Sequence, residues 1–86
     1  MKLLFAKPFV KDYNDLPEHV RQLADKQMSL LLQDSRHPSL RVKKMEGAKG
    51  DIWEGSVTMN YRFTFQIKDD IIILRRIGTH DILRSP

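Results

Sequence analysis

Near the end of this chain the stretch "RRIGTHDILRSP", residues 75–86, sets His80 beside Asp81 with Arg75, Arg76 and Arg84 around them. An imidazole titrates close to neutral pH and can take or give a proton there, while guanidinium groups grip phosphate oxygens through paired hydrogen bonds. Such groups suit reaction at a phosphodiester. RNA carries its own nucleophile in the 2′-hydroxyl, so cutting it asks a protein only for backbone alignment, charge stabilisation and proton transfer. Other chemistries lack their residues. With no cysteine there is no thiolate nucleophile, disulfide or zinc ribbon. The histidines His19, His37 and His80 are scattered, with no H-E-x-x-H or paired acidic motif, so neither a metal nor another cofactor is expected. A phosphate loop, a Rossmann glycine fingerprint and a G-x-S-x-G elbow are all absent.

These residues must be carried by a small scaffold. At 86 residues the chain is expected to be one domain, spanning 1–86, with a single modest core. "KLLFA" reads as a first strand ended by Pro8, which suits the start of a helix because its missing N–H costs nothing there. Phe9, Tyr13 and Leu16 give that helix one apolar face. A second, antiparallel helix should run from Pro17 to about Asp34, with Val20, Leu23, Ala24, Met28 and Leu31 as its core stripe. In "DSRHPSL", Pro38 disfavours helical geometry at His37 and breaks the pattern.

From Arg41 onward the period becomes two. "RVKKM" is a candidate strand and "EGAKGD" a turn; "IWEGSVTM" is a strand with Trp53, Val57 and Met59 on one side. "YRFTFQIK" alternates Tyr61, Phe63, Phe65 and Ile67 with Arg62, Thr64, Gln66 and Lys68, and "IIILRRIG" returns after a turn at Asp69 and Asp70. The order predicts an α+β fold: an N-terminal strand and two antiparallel helices packed on a mostly antiparallel sheet of four to five strands. A two-residue turn places Lys68 opposite Ile71, hence Arg62 opposite Ile77 and Thr64 opposite Arg75, so Arg62 and Arg75 share a face. A slip of one residue would move Arg75 to the other face. His80 should emerge past the end of the Arg62 strand, near Met59 and Asn60. Taken alone, Arg62 is read more simply as a partly exposed residue pairing with Glu54 or Asp81 across the sheet.

Charge points the same way. The formal net charge of +4 lies wholly in residues 36–86, where ten basic residues face six acidic ones, while residues 1–35 are balanced. A basic half suggests a polyanion surface, with nucleic acid the leading candidate. The apolar N-terminal run is interrupted by Lys7, so neither a secretory leader nor a membrane span is expected, and the absence of cysteine fits the cytoplasm.

The ordered set of "PF", "HPSL", "RVKKMEG", "WEGSVTMNYRFTFQI", "DDIIILRRIG" and "THDIL" resembles the RelE/ParE superfamily of type II toxins, in particular its RelE/StbE and YafQ-like branch of messenger RNA interferases. The resemblance covers nearly the whole chain. It implies a RelE-like fold, a cognate antitoxin as partner, and metal-free endonucleolytic cleavage of mRNA in the ribosomal A site. By position, His80 would transfer a proton, Arg62 would hold the scissile phosphate, and Asp81 would orient His80 or bind sugar. Lys43, Lys44 and Lys49 lie in the basic segment that contributes RNA or ribosome contacts in that family, and His37 matches a histidine that affects activity in YafQ-like members; with Arg41 and Arg75 they are the residues expected to bind RNA. The chain departs from that branch at Ser56 and Asn60, where YafQ-like members carry a histidine and an aspartate, and at Arg84, where an aromatic residue is usual. Two other readings follow from the same superfamily: a ParE-like protein that blocks DNA gyrase, and a catalytically weakened toxin that only binds its antitoxin.

Overall fold

The sheet is ordered by how its strands divide the chain's apolar residues. In the computed structural model, which describes residues 1–86, β1 (Lys2–Phe5) is followed by α1 (Lys7–Asn14) and α2 (Glu18–Gln33). A 3₁₀ turn at Pro38–Leu40 then leads to β2 (Lys43–Lys44), β3 (Trp53–Ser56), β4 (Tyr61–Lys68) and β5 (Ile71–Thr79), and a second 3₁₀ turn spans His80–Arg84. The strands lie in the order β1-β5-β4-β3-β2. Only the β1–β5 pair is parallel. This is the α+β arrangement expected, with five strands. No helix is long and apolar enough to cross a membrane.

Both helices contribute to one core. Phe9, Leu16, Val20, Ala24, Met28 and Leu31 pack with Phe63, Phe65, Ile72, Leu74 and Ile77 of the sheet. Pro8 sits in the first turn of α1 and Pro17 caps α2, positions whose N–H has no helical partner in any case. Leu23, expected in the core, is 41% exposed. Gln27 is buried instead, because its amide donates to the carbonyls of Ser56 at 2.9 Å and Ser39 at 3.4 Å. A buried amide so bonded is tolerated where an unpaired one is not.

The β4–β5 hairpin corrects the register read from the turn. Asp69 adopts a left-handed φ of 54°, and Lys68 does pair with Ile71. The pairing continues to Phe65–Leu74, then a bulge intervenes: Thr64 pairs with Arg76, Phe63 with Ile77 and Arg62 with Gly78. Arg62 therefore lies opposite Gly78, not Ile77, and Thr64 opposite Arg76, not Arg75. The cause is the apolar spacing of β5. Ile72 and Leu74 alternate into the core, and Ile77 can join them three residues later only if one residue is left over. Arg75, the extra residue, donates to Gln66 Oε1 at 2.8 Å and to the Pro86 carbonyl.

Beyond Leu74, β1 has ended and α1 takes over the edge of β5. Asp12 accepts from Arg76 Nε at 2.6 Å, from Arg76 Nη2 at 3.2 Å and from the Ile77 amide at 3.2 Å. That hydrogen-bonded carboxylate holds the Arg76 guanidinium above its ordinary pKa. Two strands are shorter than expected. "RVKKM" pairs only at Lys43 and Lys44, and β3 stops at Ser56, leaving Met59 84% exposed in a loop rather than on the core side. That loop closes on itself, with Val57 and Thr58 amides donating to the Tyr61 carbonyl.

Candidate functional site

Pairing fixes which side chains share the face turned away from the helices. Ser56, Arg62 and Gly78 form one row across β3, β4 and β5, and Glu54, Thr64 and Arg76 form the next, with Lys43 opposite Glu54. This polar face is half covered. The C-terminal 3₁₀ turn folds back over it, burying Ile82 against Gly78, where any Cβ would come within 2.9 Å of Ile82 Cγ2. Thr64, predicted on an open polar face, is fully buried, and its hydroxyl has no partner.

At the uncovered end lies a cavity of about 320 Å³ lined by Ser39, Arg41, Ser56, Val57, Thr58, Met59, Arg62 and His80. Arg62 is held from below. Its Nη1 donates to Ser56 Oγ at 2.7 Å and lies 3.7 Å from Glu54 Oε1, and Glu54 is buried. Nη2 makes no hydrogen bond within the chain, leaving that edge of the guanidinium for a ligand, while Nε is buried without a partner. His80 is exposed at the rim, its Nε2 3.4 Å from the Met59 carbonyl. A carbonyl only accepts, so Nε2 carries the proton in that contact and Nδ1 is the nitrogen left free.

Gln27 explains why the walls meet. By bonding the Ser39 and Ser56 carbonyls it ties the 3₁₀ turn at Pro38–Leu40 to β3, and both serines line the cavity. Sequence reasoning missed Gln27 because a polar residue within a helical stripe looks like an interruption of it. The roles of Ser39 and the Met59 carbonyl depend on loop shape and left no signal.

Of the residues proposed from sequence, Arg62, His80 and Arg41 converge on this cavity. Asp81 does not. It is exposed, lies outside the cavity and makes no hydrogen bond to His80. Lys43 is exposed beside Glu54, and Lys44 pairs with Asp51 at 3.1 Å. Lys49 and Arg75 line a different cavity of about 490 Å³ together with Arg84. His37 lines a third, which it shares with Arg41. No group of three or more His, Asp or Glu side chains converges anywhere in the chain.

Two helices packed on a five-stranded, mostly antiparallel sheet make the fold of RelE-like toxins. No family model matches the sequence. Toxin RelE3 of Methanocaldococcus jannaschii is 32% identical over 83 residues, covering 90% of this chain and 88% of the relative. The chain belongs to the RelE family of toxins. Among solved structures it resembles a RelB–RelE antitoxin–toxin complex from Methanococcus jannaschii, with a TM-score of 0.72, 28% identity and 95% of each chain covered. It also shares the fold of YafQ from E. coli, with a TM-score of 0.79, 14% identity and 94% of each chain covered.

Proposed function

We propose that this toxin cleaves messenger RNA in the ribosomal A site by metal-free transesterification. The observation that carries the reading is the convergence of Arg62 and His80 on one cavity. In that reaction the 2′-oxygen forms a bond to phosphorus as the bond to the 5′-oxygen breaks, leaving a 2′,3′-cyclic phosphate and a 5′-hydroxyl. The free edge of Arg62 stabilises the charge that builds on the phosphoryl oxygens, with Ser56 and Glu54 fixing its plane. His80 acts through Nδ1: as the neutral ring it takes the 2′-hydroxyl proton while water protonates the departing 5′-oxygen, or as the imidazolium it gives its Nδ1 proton to the 5′-oxygen while water takes the 2′-hydroxyl proton. Arg41 adds positive charge along the backbone path. Asp81 has no step of its own.

A toxin of this family also calls for a protein that holds it inactive. The related RelE structure is of a RelB–RelE antitoxin–toxin complex, and the basic second half of the present chain suits an acidic or amphipathic antitoxin covering the polar sheet face. Purified protein, added to ribosomes programmed with a defined message in the presence of a chelator, should release fragments with cyclic phosphate and 5′-hydroxyl ends. Message left intact by folded protein would refute the proposal.

A further inference from the structure

Arg41 belongs to two cavities. Besides the one holding Arg62 and His80, it lines a second of about 320 Å³ with Ser35, Arg36, His37, Pro38, Val42 and Trp53. We propose that this second cavity is a subsite for one unpaired RNA nucleotide, the one adjacent to the cleaved phosphate, with its base against Trp53 and its phosphate between Arg36 and Arg41.

Four features carry the inference. Trp53, the only tryptophan, is half-buried and, with Pro38 and Val42, gives the cavity an apolar side on which a base can stack. No carboxylate lines the cavity, and the guanidiniums of Arg36 and Arg41 form no ion pair or hydrogen bond within the chain, so two cations stand unneutralised beside an aromatic wall. His37 is fixed in one tautomer. The Ser39 amide donates to its Nδ1 at 3.2 Å and Ser39 Oγ lies 2.9 Å from the same atom, so Nδ1 accepts and Nε2–H remains as a donor for a base edge or phosphate. Finally, Arg41 adopts a left-handed φ of 47° although it is not glycine, held by its amide bond to the Pro38 carbonyl. Such a backbone is disfavoured for a residue with a side chain, and here it belongs to the residue common to both cavities.

A volume near 300 Å³ is at the small end of ligand sites, suited to a single nucleotide rather than a helix or peptide. Trp53, opposite Phe65, lies on the helix side of the sheet and Arg62 on the other, so a strand with its phosphate at Arg62 and a neighbouring base at Trp53 must pass around the sheet at Arg41, the residue common to both cavities. The subsite deepens the nuclease reading and rests on it, but its occupancy can be read without cleavage.

The test uses an oligoribonucleotide of about six residues, 2′-O-methylated throughout so that it cannot be cut and end-labelled for anisotropy. Wild-type protein should bind it with saturable quenching of Trp53 fluorescence. Arg36→Ala, an exposed change that leaves the core intact, should weaken binding by roughly 5- to 10-fold. Binding seen by anisotropy without quenching, or an affinity unmoved in Arg36→Ala, overturns the subsite. So does absence of binding up to millimolar oligonucleotide, and cleavage of ribosome-bound message by the same preparation would then show that the subsite alone, not the nuclease reading, has failed.

Discussion

Glu54→Gln should lower stability and raise affinity for RNA at the same time. Glu54 is buried, its side chain 8% exposed and 3.7 Å from the Arg62 guanidinium, whose side chain is 17% exposed. At an effective dielectric of about 20, two charges at that separation attract by about 4 to 5 kcal/mol. Neutralising the carboxylate removes this attraction but also removes the cost of burying that charge, which is several kcal/mol. A net loss of about 1 to 3 kcal/mol remains. For a domain of this size that lowers the melting temperature by roughly 5 to 20 °C. The same change leaves Arg62 with its full positive charge beside the cavity. A non-cleavable oligoribonucleotide should then bind roughly 3- to 10-fold more tightly at low salt, with the gain shrinking as ionic strength rises. Thermal melts and titrations at two salt concentrations measure both. A variant as stable as wild type with unchanged affinity would refute the idea that Glu54 sets the charge and position of Arg62.

Three further outcomes follow from the fold. Asp12→Ala removes the acceptor that joins α1 to Arg76 and the Ile77 amide, and should cost about 2 to 3 kcal/mol in denaturant unfolding, with Asp12→Asn costing less because a side-chain oxygen remains. Gly55→Ala places a Cβ 2.3 Å from Phe63 Cζ, so the strand must shift, and the denaturation midpoint should fall by an amount equivalent to about 1 to 3 kcal/mol. The Tyr13 phenol is held above its ordinary value of 10.0, chiefly by its 2.6 Å hydrogen bond to the Asp25 carboxylate. Since the neutral phenol is the favoured form in the folded state, this contribution is present below pH ~10 and lost as pH rises through the raised value. The gap in midpoint between wild type and Tyr13→Phe should therefore close in alkaline solution.

Periodicity carried most of the architecture, because burial imposes it directly. The helical stripe from Val20 to Leu31 and the alternation from Tyr61 to Phe65 each have one physical solution. Where reading went astray, another force decided the outcome. Leu23 gave way to Gln27, whose two hydrogen bonds outweigh the cost of burying an amide. The register slipped at Arg75 because turn counting assumes an unbroken ladder, although the apolar spacing of Ile72, Leu74 and Ile77 already encoded the bulge. His80 was legible as a residue at the sheet's end, near Met59, since strand length alone places it there. Asp81 was not, because adjacency in sequence says nothing of direction once the chain turns into a 3₁₀ helix. The partners of Arg62 illustrate both cases. Glu54 was visible as a neighbouring-strand carboxylate, whereas the enclosing loop at Thr58 and Met59 depends on a turn held by the Thr58 hydroxyl and the Tyr61 carbonyl.

The central claim is that His80 moves a proton at the phosphate held by Arg62. It is tested most directly by single-turnover cleavage of message on programmed ribosomes by wild type and His80→Ala, each shown to be folded. The account predicts a rate lower by roughly 10²-fold or more in the variant. Equal rates would contradict it.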